Sequence, residues 1–589
     1  MKEKIEKFIK KNVYICILFI IIVSQLGINI YTFSFEKDGY FLDETANYGL
    51  SNSYYKPFMN GNNLNSEEIK NVWLTGEDFK NYICVNDDTK FSYGSVWSNQ
   101  ALDYSPPLHY AILHTISSFF PNVFSWWYSF SINLVSFAVA QIFIYKLFLK
   151  IGKSKIVGLL TCGLFGFSLG GQSIVIYLRF YCLYMMFAVV FAYFMHKPLE
   201  KEKLSKKDLI AILLATTGGA LTHHTFLIFA FLYALFTCLI LLCRKDIRKM
   251  LSVGISALLG VILSVAIFPA TINHFVDTTG SEDSLFTIKT DDISTLSYRM
   301  FRLLIRDTFG YEMSIYENPN IAYVIAGFVL LVALLIPLCF LFRKEKWFIK
   351  IKDKFMALIS KIRDYLKNGD LSLIIMLLVM LVFIVAITFI IPENVQSATL
   401  IFSFVMDRYI FILIPFLCGF TVCIIYKIIC LIKIRNIKTI STCIVLALAS
   451  FSLVFANVKS DSNYIFKSQT DNGYISSYLN NADCIMLVNY PTIANVPAYM
   501  LMDCDNIFYS IYSDNVYQQF STEYDKLKNT DKPTYLMFDI CAINDKDKDN
   551  GMLNKSDIIS YFEKEFGCKL EYCTSETAGF TPFSLYRIK

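Results

Sequence analysis

The chain has 589 residues, of which 55% are hydrophobic, 16% aromatic and 17% charged, with a net charge of +5. This composition excludes an ordinary soluble domain and predicts an integral membrane protein whose bilayer spans carry most of the chain. The net charge is small for the length, and the basic residues are scattered between apolar runs. Nucleic-acid binding is therefore not expected, and contact with membrane lipids is the natural role of these residues.

The first apolar run follows the basic leader MKEKIEKFIKK and has no small-residue cleavage site, so we expect a retained first span. Most of the 16 cysteines lie in apolar runs, where they act as small buried hydrophobes. The sequence has no CxxC and no Cys/His metal spacing. We therefore expect neither a structural metal nor a cofactor.

Basic clusters predict the topology, because Lys and Arg between spans stay on the cytoplasmic side. There are six such clusters, and placing all of them inside predicts about 11 spans, a cytoplasmic N-terminus and an extracytoplasmic C-terminus. The predicted spans are 12–33, 125–146, 156–172, 174–196, 208–222, 224–243, 250–271, 319–342, 371–391, 405–430 and 438–457. The unusual polar residues then gather on the outer side.

The first outer loop, 34–124, contains the sequence FLDETANYGL with two adjacent acids, Asp43 and Glu44. A carboxylate here could accept a proton from an acceptor hydroxyl, although solvated loop acids are also common. Asp103 lies further along this loop, in ALDYSPPLHYAILH, and the two prolines predict a helix start. We expect outer juxtamembrane helices here, lying flat on the membrane surface.

Two further outer turns carry ionisable groups. In GGQSIVIYLRFYCLYMM, the two glycines are expected to form the turn, with Arg179 about two helical turns into the next span. Arg179 could bind an anionic ligand between helices or reach the interface as an anchor. His223 and His224 are expected at the crest of a helical hairpin, where hydrogen bonding to a phosphate or a carboxylate is preferred over metal binding.

An amphipathic helix is predicted at 298–307, with Arg299, Arg302 and Arg306 along one face. These guanidinium groups could bind phosphate or lie among anionic lipid headgroups, and the pattern does not separate the two. A later span opens with MDRY, which places Arg408 and Tyr409 at its outer end.

From about residue 458 the hydropathy falls, and the runs 484–489 and 534–539 are typical of short strands. Amphipathic segments near 471–479, 516–527 and 555–566 accompany them. We expect two domains, a transmembrane module over 1–457 and a small α/β extracytoplasmic domain over 458–589. Its five cysteines could form disulfides, with or without Cys84.

These motifs, taken in order, resemble the C superfamily of membrane glycosyltransferases (GT-C), especially the protein O-mannosyltransferases and the aminoarabinose transferase. Each motif alone is weak, but the shared order and sidedness make the resemblance specific. It covers 1–457 and departs from the family at Ser105, where His is usual, and at Leu178, where an acid is common. The matching elements are Asp43-Glu44, Asp103 to Leu108, Arg179 with Tyr181 and Leu183, Leu221 to His223, and Arg408 with Tyr409 and Pro415.

The resemblance implies an all-α polytopic fold and an inverting sugar transfer from a polyprenyl-phosphate donor to a protein, lipid or cell-envelope glycan. It implies Asp43 as the general base. It assigns the leaving phosphate to donor-binding groups, among them Arg179, His223, the helix with Arg299, and Arg408. A transporter or flippase of lipid-linked saccharides, or a non-catalytic scaffold, remains an alternative, and a transporter would be expected to carry ionisable groups near mid-membrane.

Overall fold

The protein is described from a computed structural model. The described residues are 2–37, 39–57, 72–200, 203–276, 293–310, 371–389, 403–430, 474–488, 497–511, 532–539, 555–578 and 581–589. They form a mostly helical body with a small C-terminal sheet.

Long apolar helices make up the body of the protein. Within the described residues, six helices are long and apolar enough to cross a membrane, and one bent pair could form a further span. The chain is therefore a multi-pass membrane protein. The helices of this body are α1 (Lys2–Phe35), α6 (Trp127–Ile151), α7 (Lys155–Gly166), α8 (Leu169–Ile176), α9 (Tyr181–Glu200), α10 (Lys206–Ala220), α11 (Thr225–Cys243), α12 (Ile247–Ile267), α13 (Ala270–Val276), α14 (Ile293–Phe309), α15 (Ser372–Thr388), α16 (Ser403–Ile410) and α17 (Ile414–Cys430).

Helices occupy most of the predicted spans that fall on described residues. The predicted spans 319–342 and 438–457 lie outside the described residues, so the number 11 stays a prediction. The crest predicted at His223 and His224 is confirmed, because α10 ends at Ala220 and α11 begins at Thr225.

The predicted turn at the two glycines 170 and 171 is wrong. Both lie inside α8, and the bend of 62° falls between α7 and α8, just before them. A Cβ atom on Gly171 would lie 1.9 Å from the carbonyl oxygen of Phe165, so the glycine is needed for close packing at the bend. Arg179 is consequently not two turns into a helix, but lies in the short connection 177–180 that precedes α9.

The described part of the first long loop contains four helices and one strand. The predicted helix start after the prolines is confirmed, since α5 begins at Leu108 with Pro107 as its N-terminal cap residue. The elements are α2 (Leu42–Asn52), β1 (Val72–Thr75), α3 (Gly76–Ile83), α4 (Tyr93–Asp103) and α5 (Leu108–Ser118). Strand β1 joins the C-terminal sheet, and α5 packs against the transmembrane helix α6.

Within the described residues, five C-terminal strands and β1 of the first long loop form a six-stranded sheet of order β1-β3-β2-β4-β6-β5. Both predicted strand runs are confirmed. The C-terminal elements are α18 (Ser476–Leu479), β2 (Asp483–Val488), α19 (Ala498–Leu501), β3 (Asn506–Ile511), β4 (Thr534–Asp539), α20 (Lys555–Phe566), β5 (Leu570–Ala578) and β6 (Thr581–Ile588). Strand β2 pairs in parallel with β3 and β4, and the other pairs are antiparallel.

One edge of this sheet comes from the first long loop, because β1 pairs with β3. Gly76 follows β1 and donates its backbone N–H to the Cys504 carbonyl at 2.9 Å. A Cβ atom at Gly76 would approach that same oxygen to 2.3 Å, so only glycine allows the contact. Tyr48 of α2 is buried in the same apolar cluster as Met486 of β2. The sheet therefore packs directly behind helix α2.

Of the cysteines described in the C-terminal region, Cys484, Cys504 and Cys573 are free, as is Cys84 of the first long loop. Cys541, the remaining candidate for a disulfide, lies outside the described residues.

Candidate active site

Helix α2 carries the two adjacent acids. Its cap residue Phe41 has extended backbone angles, and the Glu44 carboxylate accepts the Phe41 backbone N–H at 2.7 Å. This contact fixes where the helix begins. Adjacent side chains on a helix diverge by about 100°, so Asp43 and Glu44 enter different surroundings.

Asp43 faces a group that we name the Asp43 cluster: Asp43, Tyr177, Arg179 and Arg408. The Tyr177 hydroxyl donates to the Asp43 carboxylate at 2.9 Å, and Arg408 forms an ion pair with the same oxygen. Arg179 donates through Nη1 to the backbone carbonyl of Asp43 at 3.0 Å. The side chain of Asp43 is 22% exposed and that of Arg408 is 17% exposed. This cluster is therefore partly open.

The carboxyl of Asp43 is held in its ionised form. Burial alone would raise its pKa, but the positive charges of Arg179 and Arg408, together with the Tyr177 hydroxyl, outweigh burial and lower the pKa below 3.8. An ionised carboxylate at neutral pH is a proton acceptor.

Both arginines retain unused hydrogen-bond donors. The Nε atoms of Arg179 and Arg408 are buried and have no acceptor among the described residues. The whole side chain of Arg179 is more than nine-tenths buried. Buried guanidinium donors without acceptors are costly, and an anion bound between them would remove that cost.

Glu44 points into the protein interior. Its carboxylate accepts hydrogen bonds from Lys37 Nζ at 2.6 Å and from the backbone N–H of Leu178 at 2.8 Å, besides that of Phe41. Lys37 and Glu44 are 3% and 1% exposed. Because Leu178 lies between Tyr177 and Arg179, Glu44 anchors the connection that presents both side chains to Asp43.

Other buried amides hold the same connection. Asn47 donates to the Leu178 carbonyl at 3.0 Å, and Asn133 donates to the Tyr177 carbonyl at 2.8 Å. Ser129 also donates to the Leu178 carbonyl, at 3.2 Å. A short non-helical connection has free backbone groups, and these side chains satisfy them.

Aromatic rings line the cluster. Tyr181 stacks on Tyr177 with ring centroids 5.7 Å apart, and its ring lies 5.8 Å from that of His223. Tyr409 lies next to the Arg408 guanidinium, 5.3 Å from the ring centroid. Two of the predicted site residues, Tyr181 and Tyr409, are therefore at the edge of the Asp43 cluster.

His223 adjoins the cluster and is uncharged. Burial lowers its pKa well below 6.5, and the charges of His224, Arg408 and Arg179 lower it further. The Thr225 backbone N–H donates to His223 Nδ1 at 3.1 Å, so the ring proton is on Nε2. His223 can therefore donate one hydrogen bond through Nε2.

His224 lies in a different hydrogen-bond chain. Its Nε2 is 3.0 Å from His274 Nδ1, and His274 Nε2 is 3.1 Å from the Ala101 carbonyl. This chain joins the hairpin crest and α13 to the end of α4. The structure does not bring His224 into contact with the carboxylate of Asp43.

Asp103 is half-buried at the end of α4, near Arg179 and Asp43. Burial raises its pKa to about 6, the charge of Asp43 adds to this, and the charge of Arg179 and a hydrogen bond with Ser105 oppose it. Asp103 is therefore a second carboxyl beside the cluster, but one that titrates close to neutral pH.

The amphipathic helix predicted at 298–307 is present as α14. Arg299 and Arg302 of this helix are both half-buried. Arg306, one turn after Arg302, instead forms ion pairs with Asp307 and Asp407, and both of these carboxylates are fully buried.

Sequence reasoning missed Tyr177 and Lys37, which contact the two acids directly. Lys37 had a usable signal, because a lysine just beyond a first span and seven positions before Glu44 can return to it. Tyr177 had none beyond its closeness to Arg179. Within the described part of the chain, no group of three or more His, Cys, Asp or Glu side chains is arranged to hold a metal ion.

No known family model matches this sequence, and no curated protein matches it. Among solved structures, ArnT from Cupriavidus metallidurans bound to undecaprenyl phosphate aligns with a TM-score of 0.37 and 9% identity. The apo state of the same protein aligns with a TM-score of 0.32 and 10% identity. Both alignments cover 98% of this chain and 97% of the other. A likeness at these TM-scores establishes neither a shared activity nor a shared fold.

Proposed function

We propose that this protein is a membrane glycosyltransferase that moves a sugar from a polyprenyl-phosphate donor to an acceptor hydroxyl. The observation that carries this proposal is the Asp43 cluster, an ionised and partly open carboxylate beside two arginines with unused donors. The Asp43 carboxylate can accept a proton, and the two arginines can bind a phosphate. The ordered motifs that resemble the C superfamily add support, and the apolar helices suit a lipid-linked substrate.

In the proposed reaction, Asp43 accepts the proton of the acceptor hydroxyl as that oxygen attacks the anomeric carbon of the sugar. The bond from this carbon to the phosphate oxygen breaks, and its electron pair stays on the lipid phosphate. Arg179 and Arg408 stabilise the growing negative charge, and His223 donates through Nε2. Attack opposite the leaving phosphate inverts the anomeric configuration.

In this scheme, Arg408 can pair with either of two anions, the Asp43 carboxylate or the donor phosphate. Without donor it pairs with Asp43, and the phosphodiester monoanion of a bound donor would compete for the same guanidinium. As Arg408 turns toward the phosphate, Asp43 loses part of the charge that lowers its pKa. Donor binding would therefore make Asp43 a stronger base at the step that needs one.

Asp103 belongs to the acceptor side in this proposal. With a pKa of about 6, its carboxylate is mostly ionised at neutral pH and can hold a second acceptor hydroxyl or take the proton onward from Asp43. The acceptor itself would be a protein, a lipid or a cell-envelope glycan.

The remaining assignments are also proposals. The 1–457 segment would be the GT-C transmembrane module with about 11 spans, a cytoplasmic N-terminus and the reaction on the outer face. The 458–589 segment would be extracytoplasmic, with β1 of the first long loop completing its sheet. The chemistry requires no metal or other cofactor, because the two arginines supply the charge.

Transfer of radiolabelled sugar by the purified protein in proteoliposomes tests this function. The donors are undecaprenyl-phosphate-linked mannose and aminoarabinose, and the acceptor is a native envelope extract. We expect label to move to the acceptor with release of undecaprenyl phosphate, and Asp43→Asn to prevent both. Movement of the intact labelled lipid across the bilayer, without transfer, would contradict the proposal and favour a flippase.

A further inference from the structure

A second buried group of charges lies beside the Asp43 cluster, and we name it the Arg306 cluster: Arg306, Asp307 and Asp407. Arg306 donates to Asp307 through Nε at 3.0 Å and through Nη2 at 2.9 Å. The same Nη2 donates to Asp407 at 2.6 Å. Both carboxylates are fully buried, while Arg306 is 20% exposed. One guanidinium therefore compensates two buried carboxylates.

Tight packing fixes this group against the bend helix α8. A Cβ atom on Gly170 would lie 2.9 Å from the Cβ of Asp307 and 2.3 Å from Ile414. Helix α14, helix α8 and the start of α17 therefore meet at Gly170. Any larger residue at position 170 would move Asp307 and, with it, Arg306.

The two clusters are joined through the backbone, since Asp407 directly precedes Arg408 on α16. The two clusters together contain three carboxyl groups and three guanidinium groups, so their formal charges balance. Asp307 and Asp407 each retain one buried oxygen with no donor among the described residues. Without Arg306, these carboxylates would be an uncompensated charge beside Arg408.

We propose that Arg306 is a positioning residue for Arg408. By holding Asp407, Arg306 prevents Arg408 from pairing with the acid next to it and leaves Arg408 to Asp43 and the donor phosphate. This inference rests on the proposed function for its effect on transfer. The arrangement of charges that it describes does not depend on which substrate is used.

The test compares variants in which the numbers of buried acids and arginines in the two clusters are equal or unequal. Arg306→Met should lower kcat/KM for transfer roughly a hundredfold, as expected when a catalytic group is displaced. The loss should lie more in kcat than in KM for the donor. Arg306→Met/Asp407→Asn restores the balance, removes the acid that would otherwise pair with Arg408, and should recover most of the activity. Arg306→Lys keeps the charge without the fork and should be intermediate. Arg248→Met, an exposed arginine of α12, is the control.

A second measurement needs no substrate. The thermal unfolding midpoints of Arg306→Met, Arg408→Met and the double variant form a double-mutant cycle. We expect the two effects to be clearly non-additive, because without Arg306 the guanidinium of Arg408 becomes the cation available to Asp407. Additive midpoints, or activity in Arg306→Met that matches the wild type, would overturn the inference. A wild-type protein without transfer would refute the proposed function, and the cycle alone would then decide the inference.

Discussion

Asp43 and Glu44 are neighbours on one helix, yet their surroundings differ in every respect that matters for chemistry. Asp43 is 22% exposed and pairs with Arg408, whose Nε has no acceptor among the described residues. Glu44 is 1% exposed, pairs with Lys37 and accepts two backbone N–H groups. The first arrangement is incomplete and open, whereas the second is complete and closed.

This difference separates a group that can react from a group that supports it. When all hydrogen-bond donors to a carboxylate come from the protein interior, exchanging them for a substrate is unfavourable, because breaking a buried ion pair leaves an uncompensated charge. Glu44 instead fixes the connection that carries Tyr177 and Arg179. The Asp43 cluster therefore depends on Glu44 for the positions of Tyr177 and Arg179, but Glu44 takes no part in the reaction itself.

After Asp43 itself, the largest expected effect is at Arg408. Arg408→Ala removes a forked donor from the leaving phosphate and should slow transfer about a hundredfold to a thousandfold. Arg408→Lys keeps the charge but not the fork and should recover only part of this loss. Single-turnover rates with saturating donor measure the effect. Normal rates in folded Arg408→Ala would make this arginine an anchor and leave the phosphate site unassigned.

The structural role of Glu44 can be tested through its ion pair with Lys37. Lys37→Met leaves Glu44 buried without its cation and should destabilise the protein by about 3 kcal/mol. Lys37→Met/Glu44→Gln removes both charges and should recover a large part of that loss. Unfolding in detergent, followed by circular dichroism, gives the comparison. Equal stability of wild type and Lys37→Met would show that the pair has no structural role.

The sequence was sufficient for the membrane class, most of the described helices and two of the described strands, because apolar runs and strand propensity are local signals. It was also sufficient to select Asp43, Arg179 and Arg408 as candidates. It could not reveal that Arg408 reaches Asp43, 365 positions away, since that contact depends on how α16 packs. The error at the glycines of α8 has a similar cause, because a glycine permits close packing as readily as it permits a turn.

A pH profile tests whether the carboxylate of Asp103 takes part in transfer together with Asp43. Its pKa is raised in the folded protein to about 6, so the carboxylate forms only as the pH rises through that value. If transfer needs the ionised form, kcat/KM should fall about tenfold between pH 7 and pH 5. Asp43, with a lowered pKa, stays ionised over this range. Asp103→Asn should remove the pH dependence, and persistence of the acidic limb would exclude Asp103 as its source.

The smallest expected effect is at Tyr177, whose hydroxyl donates to Asp43. Tyr177→Phe removes one hydrogen bond and should slow transfer roughly fivefold, corresponding to about 1 kcal/mol. The stability should hardly change, because the backbone of this connection is held by other groups. A loss as large as that of Arg408→Ala would mean that the hydroxyl takes part in the reaction itself.

The most direct test of the roles of the two acids measures turnover and unfolding together in two variants, Asp43→Asn and Glu44→Gln. We expect Asp43→Asn to lose transfer by about a hundredfold to ten-thousandfold while its unfolding midpoint and its binding of undecaprenyl phosphate stay near those of the wild type. We expect the reverse for Glu44→Gln, with a clearly lower midpoint and substantial turnover in the folded fraction. Near-normal turnover in Asp43→Asn, or complete loss of turnover in fully folded Glu44→Gln, would contradict the assignment of Asp43 as the base and Glu44 as its support.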